Sequence, residues 1–322
     1  MKKPLIILTG PTAVGKTAAS IGLAKAIGGE IISADSMQVY RHMDIGSAKI
    51  KAEEMQGIPH HLIDVLEPEE EFHVVRFQQM AKQALEEIYQ RGHIPIVVGG
   101  TGFYIQALLY DIAFEDNKED HSYRKELEEL AKKEGLERLH QMLQQVDEKA
   151  ALEIHANNVK RVIRALEFYH QTGEKISEHN AKEREKESAY NSAYFVLNDI
   201  RSNLYDRINK RVDVMFEEGL VEEVQTLKER GYTRNMVSMQ GLGYKETFAY
   251  LEGECTLAEA KEIIKRDTRH FAKRQITWFK RERDVIWIEK QKYGYQEETI
   301  LEKILKELQF RNIYPQKEEE LK

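Results

Sequence analysis

The chain opens on a short apolar run, Leu5–Leu8, and comparable β-branched runs recur at Glu30–Ser33, His61–Val65 and Ile94–Val98. Two more, Tyr194–Leu197 and Val285–Ile288, come much later. These runs are continuous rather than alternating, the pattern of a strand covered on both faces. Between the early runs, Thr17–Ile27 and Val74–Tyr89 space their apolar residues at the helical period. Strands separated by helices predict an α/β fold, a doubly wound parallel sheet.

The alternation stops between about Glu115 and Ser192. Tyr123–Gln145 and Asn158–Gln171 read as helices there, bracketed by the polar stretches Glu115–Ser122 and Glu178–Ser192. A helical insertion domain at 115–192 is therefore expected within a core made of 1–114 and 193–322. From Arg201 to Lys280 the pattern is mostly helical, and the charged tail from Pro315 is expected to fray.

Composition narrows the class. Apolar residues make up 41% of 322 positions, which is ordinary for a globular protein able to bury a core. The single cysteine, Cys255, excludes an internal disulfide and a cysteine metal cluster, and fits a reducing compartment. Two lysines ahead of the first apolar run imitate a signal peptide. The run ends at Thr9-Gly10, however, too soon for one, and no stretch approaches a membrane span. A cytoplasmic protein without membrane association is expected.

The net charge of −7 argues against nucleic acid as a partner, but its distribution does not. Lys261–Asp284 holds nine Lys/Arg against four Asp/Glu. A basic segment inside an acidic chain points to a polyanion. Read as one helix, Lys261–Lys280 aligns Arg266, Arg269, Lys273 and Lys280 opposite Ile264, Phe271 and Trp278. Such a stripe suits an RNA backbone. Remote in sequence from the phosphate loop described next, this helix need not line that loop's crevice. Weaker basic groups are Lys160, Arg161 and Arg164, beside a core face of Val159, Val162, Ile163 and Leu166, and the pair Arg207 and Arg211.

The most specific motif is Gly10-Pro11-Thr12-Ala13-Val14-Gly15-Lys16-Thr17, a complete G-x-x-x-x-G-K-[ST] between a strand and a helix. Its amides and the helix N-terminus suit a di- or triphosphate, with Lys16 on a phosphate and Thr17 on Mg²⁺. Asp35 ends the second strand, on the sheet edge where ligands gather. It can ligate Mg²⁺ through water, accept a proton, or simply close an Asx-turn. Thr101, among Gly99, Gly100 and Gly102, is equally open to a ligand role or a tight turn. The histidines show no metal-site spacing.

Several phrases together resemble one family. They are residues 10–17, Ala-Asp-Ser-Met-Gln-Val-Tyr at 34–40, Met-Asp-Ile-Gly-Ser-Ala-Lys at 43–49 and Pro-His-His-Leu-Ile-Asp at 59–64. Val-Gly-Gly-Thr-Gly-Phe-Tyr at 98–104, Gln-Gly-Leu-Gly-Tyr-Lys at 240–245 and Ala-Lys-Arg-Gln-Ile-Thr-Trp-Phe-Lys at 272–280 complete the set. The combination is similar to bacterial tRNA dimethylallyltransferases, from the first strand to about Trp287. The resemblance implies transfer of a C5 unit from dimethylallyl diphosphate to N6 of the adenine 3′ of a tRNA anticodon.

It further implies that Gly10 to Thr17 and Arg211 bind diphosphate, that Asp35 is the general base and that Thr101 acts beside it, with Mg²⁺ on Thr17. It assigns tRNA contacts to Asp35, Ser36, Met37, Gln38, Thr101, Arg124, and Lys160, Arg161, Val162, Ile163 and Arg164. Gln240, Gly241, Leu242, Gly243, Tyr244 and Lys245 join them, as do Arg269, Lys273, Arg274, Gln275, Ile276, Thr277, Trp278, Phe279 and Lys280. The partners implied are a tRNA anticodon stem-loop and dimethylallyl diphosphate, acting on a monomer. The competing classes are a small-molecule or nucleoside kinase and a P-loop RNA-binding protein without catalysis.

Overall fold

The computed structural model describes residues 2–114 and 122–314. The expected start of the insertion, at 115, and the tail from Pro315 lie outside them. The chain forms two compact units, residues up to Asp111 together with those from Ser188, and Ile112–Glu187.

In the first unit the strands are β1 (Pro4–Thr9), β2 (Gly29–Ala34), β3 (His60–His61), β4 (Ile94–Gly99), β5 (Asn191–Asn198) and β6 (Val285–Glu289). They make one all-parallel sheet in the order β3-β2-β4-β1-β5-β6. In chain order the helices are α1 (Lys16–Ile27), α2 (Val74–Gln90) and α3 (Gly102–Leu109) here, then α4 (Ser122–Glu134), α5 (Leu136–Val146), α6 (Glu148–Glu153), α7 (Val159–Thr172) and α8 (Ile176–Glu185) in the second unit. The first unit resumes with α9 (Arg201–Glu217), α10 (Leu220–Glu229), α11 (Tyr244–Leu251), α12 (Leu257–Phe279) and α13 (Glu297–Phe310).

Successive strand residues point to opposite faces. Leu5, Ile7, Ile32 and Val97 join one apolar cluster with α2, α3, α10 and α11. Ile6, Leu8, Ile31 and Ile96 join another with α1 and α13. Both faces are covered, which is why the strands read as unbroken apolar runs.

Some expectations need correction. The run His61–Val65 pairs with β2 only through His60 and His61, because Leu62 and Asp64 take left-handed backbone (φ 63 and 54) that ends the strand. The predicted helix Tyr123–Gln145 is two helices, broken at Gly135 with φ 88. The polar stretch Glu178–Ser192 contains most of α8, and Ser192, the expected end of the insertion, lies inside β5.

The second unit has its own core of Leu127, Leu139, Leu143, Val162, Ile163 and Leu166. Buried Asp147 caps α6 through Ala150 N (3.0 Å) and also accepts from the amide and hydroxyl of Ser177.

Candidate active site

Three strands end flush. Ala34 of β2 and Thr9 of β1 both lie level with Gly99 of β4. The next residues, Asp35, Gly10 and Gly100, therefore leave the sheet side by side, at the carboxyl edge where open α/β sheets bind ligands.

From β1 the chain enters the phosphate loop. Gly15 caps α1 with φ 98, a conformation that an L side chain resists. Half-buried Lys16 bends back over the loop, its Nζ 2.9 Å from the carbonyls of both Gly10 and Pro11. Burial and the nearby Arg211 charge hold Lys16 down to about 8, opposed by the attraction of Asp35. Arg211, on α9, is exposed by surface area, yet surrounding protein desolvates its guanidinium enough to lower its pKa, again against Asp35. Lys16, Arg211 and Asp35 thus share one electrostatic field. Thr17 is exposed in the first turn of α1, and its hydroxyl has no hydrogen-bond partner among the described residues.

Asp35 closes a turn as well as facing the loop. Its Oδ1 accepts from Met37 N at 2.8 Å and Gln38 N at 3.4 Å, while Oδ2 has no hydrogen-bond partner among the described residues. Thr101 caps the start of α3 by position, but its side chain makes no capping bond. Its amide donates to Ala34 O at 3.3 Å, tying it to the residue before Asp35.

Sequence reasoning missed several supports of this site. Lys290, just after β6, is 8% exposed and its Nζ lies 3.2 Å from Val14 O. Arg207 approaches the same carbonyl at 3.5 Å and Asp199 at 3.7 Å, whereas the Arg211 charge acts on Lys16 and is itself drawn to Asp35. Lys49 Nζ ties Tyr40 O (2.7 Å) to Asp44 and Asp64, fixing the segment that follows Asp35. Glu223 accepts from the amides of Asp44, Ile45 and Gly46 and from Tyr244 Oη (2.7 Å). No spacing in the sequence foretells these contacts.

The RNA candidates separate by exposure. On α12 and at its C-cap, Arg266, Lys273, Arg274, Thr277 and Lys280 are exposed, with Arg274 lying over the Phe271 ring. Arg269 is half-buried and donates to Asn209 Oδ1 at 2.5 Å, and Arg266 pairs with Asp267 at 2.8 Å. Gln275 and Phe279 are buried at 6% and 0%, Ile276 packs on the core, and Trp278 stacks edge-on to Phe103, 6.1 Å away. Gln275, assigned above to tRNA, bonds instead to the phosphate loop: Thr12 N donates to its Oε1. The helix does line the crevice.

Tyr244 (0%) and Gly243 are likewise buried, which removes them from any RNA surface. Gly241, Leu242 and Lys245 are half-buried, and exposed Gln240 bonds to Arg234 O. Ser36, Met37 and Gln38 are half-buried, and the Gln38 amide donates to Ala48 O at 3.2 Å. In the second unit, Val162 and Ile163 are core residues, so their side chains cannot meet RNA. Lys160 and Arg161 are exposed at the start of α7, and Arg164 is half-buried. The Arg124 fork is taken by buried Glu167, at 2.9 and 2.6 Å.

Comparison with known proteins is decisive about kinship. A family model described as IPP transferase matches residues 38–282. The chain belongs to the IPP transferase family. It is 62% identical over 302 residues to a tRNA dimethylallyltransferase of Lachnoclostridium phytofermentans, covering 94% of this chain and 96% of that one. Among solved structures it is similar to the full-length tRNA isopentenylpyrophosphate transferase of Bacillus halodurans, at 45% identity and a TM-score of 0.73 over 97% of this chain and 98% of that chain. A eukaryotic dimethylallyltransferase described as acting on tRNA superposes with a TM-score of 0.83 at 30% identity, over 98% of this chain and 81% of that chain. The kinase and non-catalytic readings lose their ground here. Among the described residues, no helix is long and apolar enough to cross a membrane.

Proposed function

We propose that this IPP transferase moves the dimethylallyl group of dimethylallyl diphosphate onto N6 of the adenine 3′ of a tRNA anticodon. The observation that carries the reading is that Asp35 and the phosphate loop leave the sheet side by side, with the Arg211 charge acting toward both, in a chain of this family. A base and a diphosphate cradle within one field suit a transfer with a poor nucleophile and an anionic leaving group.

The lone pair of adenine N6 is delocalised into its ring. As the new N–C bond forms and the C–O bond to diphosphate breaks, a carboxylate must take the N6 proton. The free Oδ2 of Asp35 fills that role, while its Oδ1, fastened by Met37 N, holds the carboxylate in place. The departing diphosphate gathers negative charge, which the loop amides, Lys16 and Arg211 offset. The unengaged Thr101 hydroxyl lies beside this chemistry, where it can hold base or phosphate.

Mg²⁺ fits the donor set. Thr17 offers a free hydroxyl oxygen at the mouth of the phosphate loop. One such ligand suits a cation that takes its other oxygens from phosphate and water, and its contribution would be further charge neutralisation on the diphosphate.

The adenine sits in a loop, where splaying a base out of its stack is cheap. Incubation with labelled dimethylallyl diphosphate, or labelled ATP, and an unmodified anticodon stem-loop tests the reading. Prenyl label is expected in the RNA at adenine. Phosphoryl transfer from ATP with no prenyl transfer would refute it.

A further inference from the structure

Gln275 is a polar residue on the apolar side of α12, between Ala272 and Phe279, both fully buried. A buried side-chain amide needs partners at both ends. Its Oε1 accepts from Thr12 N at 2.9 Å, and its Nε2 donates to Gly100 O at 3.0 Å. Thr12 belongs to the phosphate loop, and Gly100 is the residue before Thr101. One side chain therefore spans the loops that leave the neighbouring strands β1 and β4. Space for it is built in, because a Cβ on Gly100 would lie 2.1 Å from Gln275 Nε2.

We propose that Gln275 is a positioning residue that sets the separation between the diphosphate cradle and the Thr101 side of the site. The inference rests on the prenyl-transfer reading above. Glutamine supplies a neutral acceptor and a neutral donor on one unbranched side chain of this reach. A methionine of similar size would leave Thr12 N and Gly100 O unpaired. A glutamate would keep the first bond, but would turn an anion toward Gly100 O and the diphosphate. Small misplacements of reacting groups cost rate steeply, of order 10²-fold for about 1 Å.

The test compares wild type, Gln275→Met and Gln275→Glu in single-turnover transfer to an anticodon stem-loop, in binding of inorganic diphosphate, and in stem-loop binding across salt. With Gln275→Met the rate is expected to fall and diphosphate binding to weaken, each about tenfold, as for a lost buried hydrogen bond. Gln275→Glu should bind diphosphate more weakly still. Stem-loop affinity and its salt slope should match wild type. Weakened stem-loop binding with diphosphate binding intact would make Gln275 an RNA contact and overturn the proposal. A lower Tm with wild-type kinetics in the folded protein would reduce Gln275 to packing and overturn the proposal equally.

Gly100→Ala approaches the bridge from its other end and carries the test if Gln275→Met does not fold. Its methyl displaces the amide, so diphosphate binding must weaken. In a double-mutant cycle the two changes should be strongly non-additive, since each removes the same contact. Additive losses would mean that the two residues do not act through one contact and would overturn the proposal. If wild type transfers no prenyl group, the functional reading fails, and the diphosphate arm still reads the bridge.

Discussion

A carboxylate stands near each end of strand β2, and the two are treated oppositely. Glu30, at the amino edge of the sheet, is 1% exposed and fully engaged. Arg91 grips both its oxygens at 2.8 Å, and His61 and His93 approach at 2.7 and 2.6 Å. The Arg91 bonds, with those of the two histidines, hold Glu30 down to about 2 against the opposing cost of burial. Asp35, just past the carboxyl edge, spends one oxygen on a turn and keeps the other free before two cations. A carboxylate whose bonding is complete can hold a sheet together. One left incomplete can take a proton.

The sharpest way to break this contrast is to neutralise each carboxyl in turn. Asp35→Asn keeps the turn's acceptor and removes the base. Single-turnover transfer is expected to fall about 10²–10⁴-fold, with thermal stability and stem-loop affinity close to wild type. Near-normal turnover would remove Asp35 from the chemistry.

Glu30→Gln should do the reverse, costing about 3 kcal/mol of stability to urea as Arg91 and the histidines lose their anion, while kcat of the folded enzyme holds. The sign with pH follows from the depressed pKa. Glu30's contribution is complete above the ordinary glutamate value of 4.5 and is lost as pH falls through about 2. The variant should therefore lack that part of the wild-type acid dependence between those values. An unchanged acid transition would mean the cluster contributes nothing to stability.

Lys16 tests the chemical edge by titration. Held down to about 8 by burial and Arg211, it loses its charge within an accessible range. Diphosphate prefers the charged form, so donor KM should rise above pH 8, approaching tenfold by pH 9. Lys16→Arg should flatten that rise. A donor KM independent of pH from 7 to 9 would show that Lys16 stays charged or makes no phosphate contact.

Much of this contrast was legible in the sequence, and the limits of legibility are physical. Strands buried on both faces announce themselves as apolar runs, and the phosphate loop needs its glycines and lysine at fixed spacing. The placement of Asp35 after a strand and of Thr101 among glycines followed from the same logic. Glu30 was invisible as a structural anion, since Arg91 is 61 residues away and only the sheet unites them. Gln275 carries a signal of its own. On a helical wheel it falls with Ile264 and Phe271, and a polar residue on a core face demands partners. The family resemblance assigns it to RNA, together with Val162, Ile163, Tyr244 and Phe279, all of them buried. A contiguous motif names a surface; only burial says which of its side chains reach that surface.

The same rule, that a satisfied charge serves structure and an unsatisfied one is available to a ligand, sorts the basic face of α12. Arg269 bonds to Asn209 and Arg266 pairs with Asp267, whereas Lys273 and Lys280 are exposed with no ion-pair partner among the described residues. These two lysines are therefore the ones expected to meet RNA phosphates. Phosphate contacts position an RNA without reading its sequence, so Lys273→Ala and Lys280→Ala should weaken stem-loop binding whatever the loop sequence. Each should reduce the slope of log affinity against log salt by a little under one unit, with donor KM unchanged. Arg269→Ala should act differently, lowering stability slightly through its lost bond to α9 and leaving the salt slope near wild type. Equal slopes for all three variants and wild type would make the stripe a solvated face. The search for phosphate contacts would then move to Lys160 and Arg161, exposed at the start of α7.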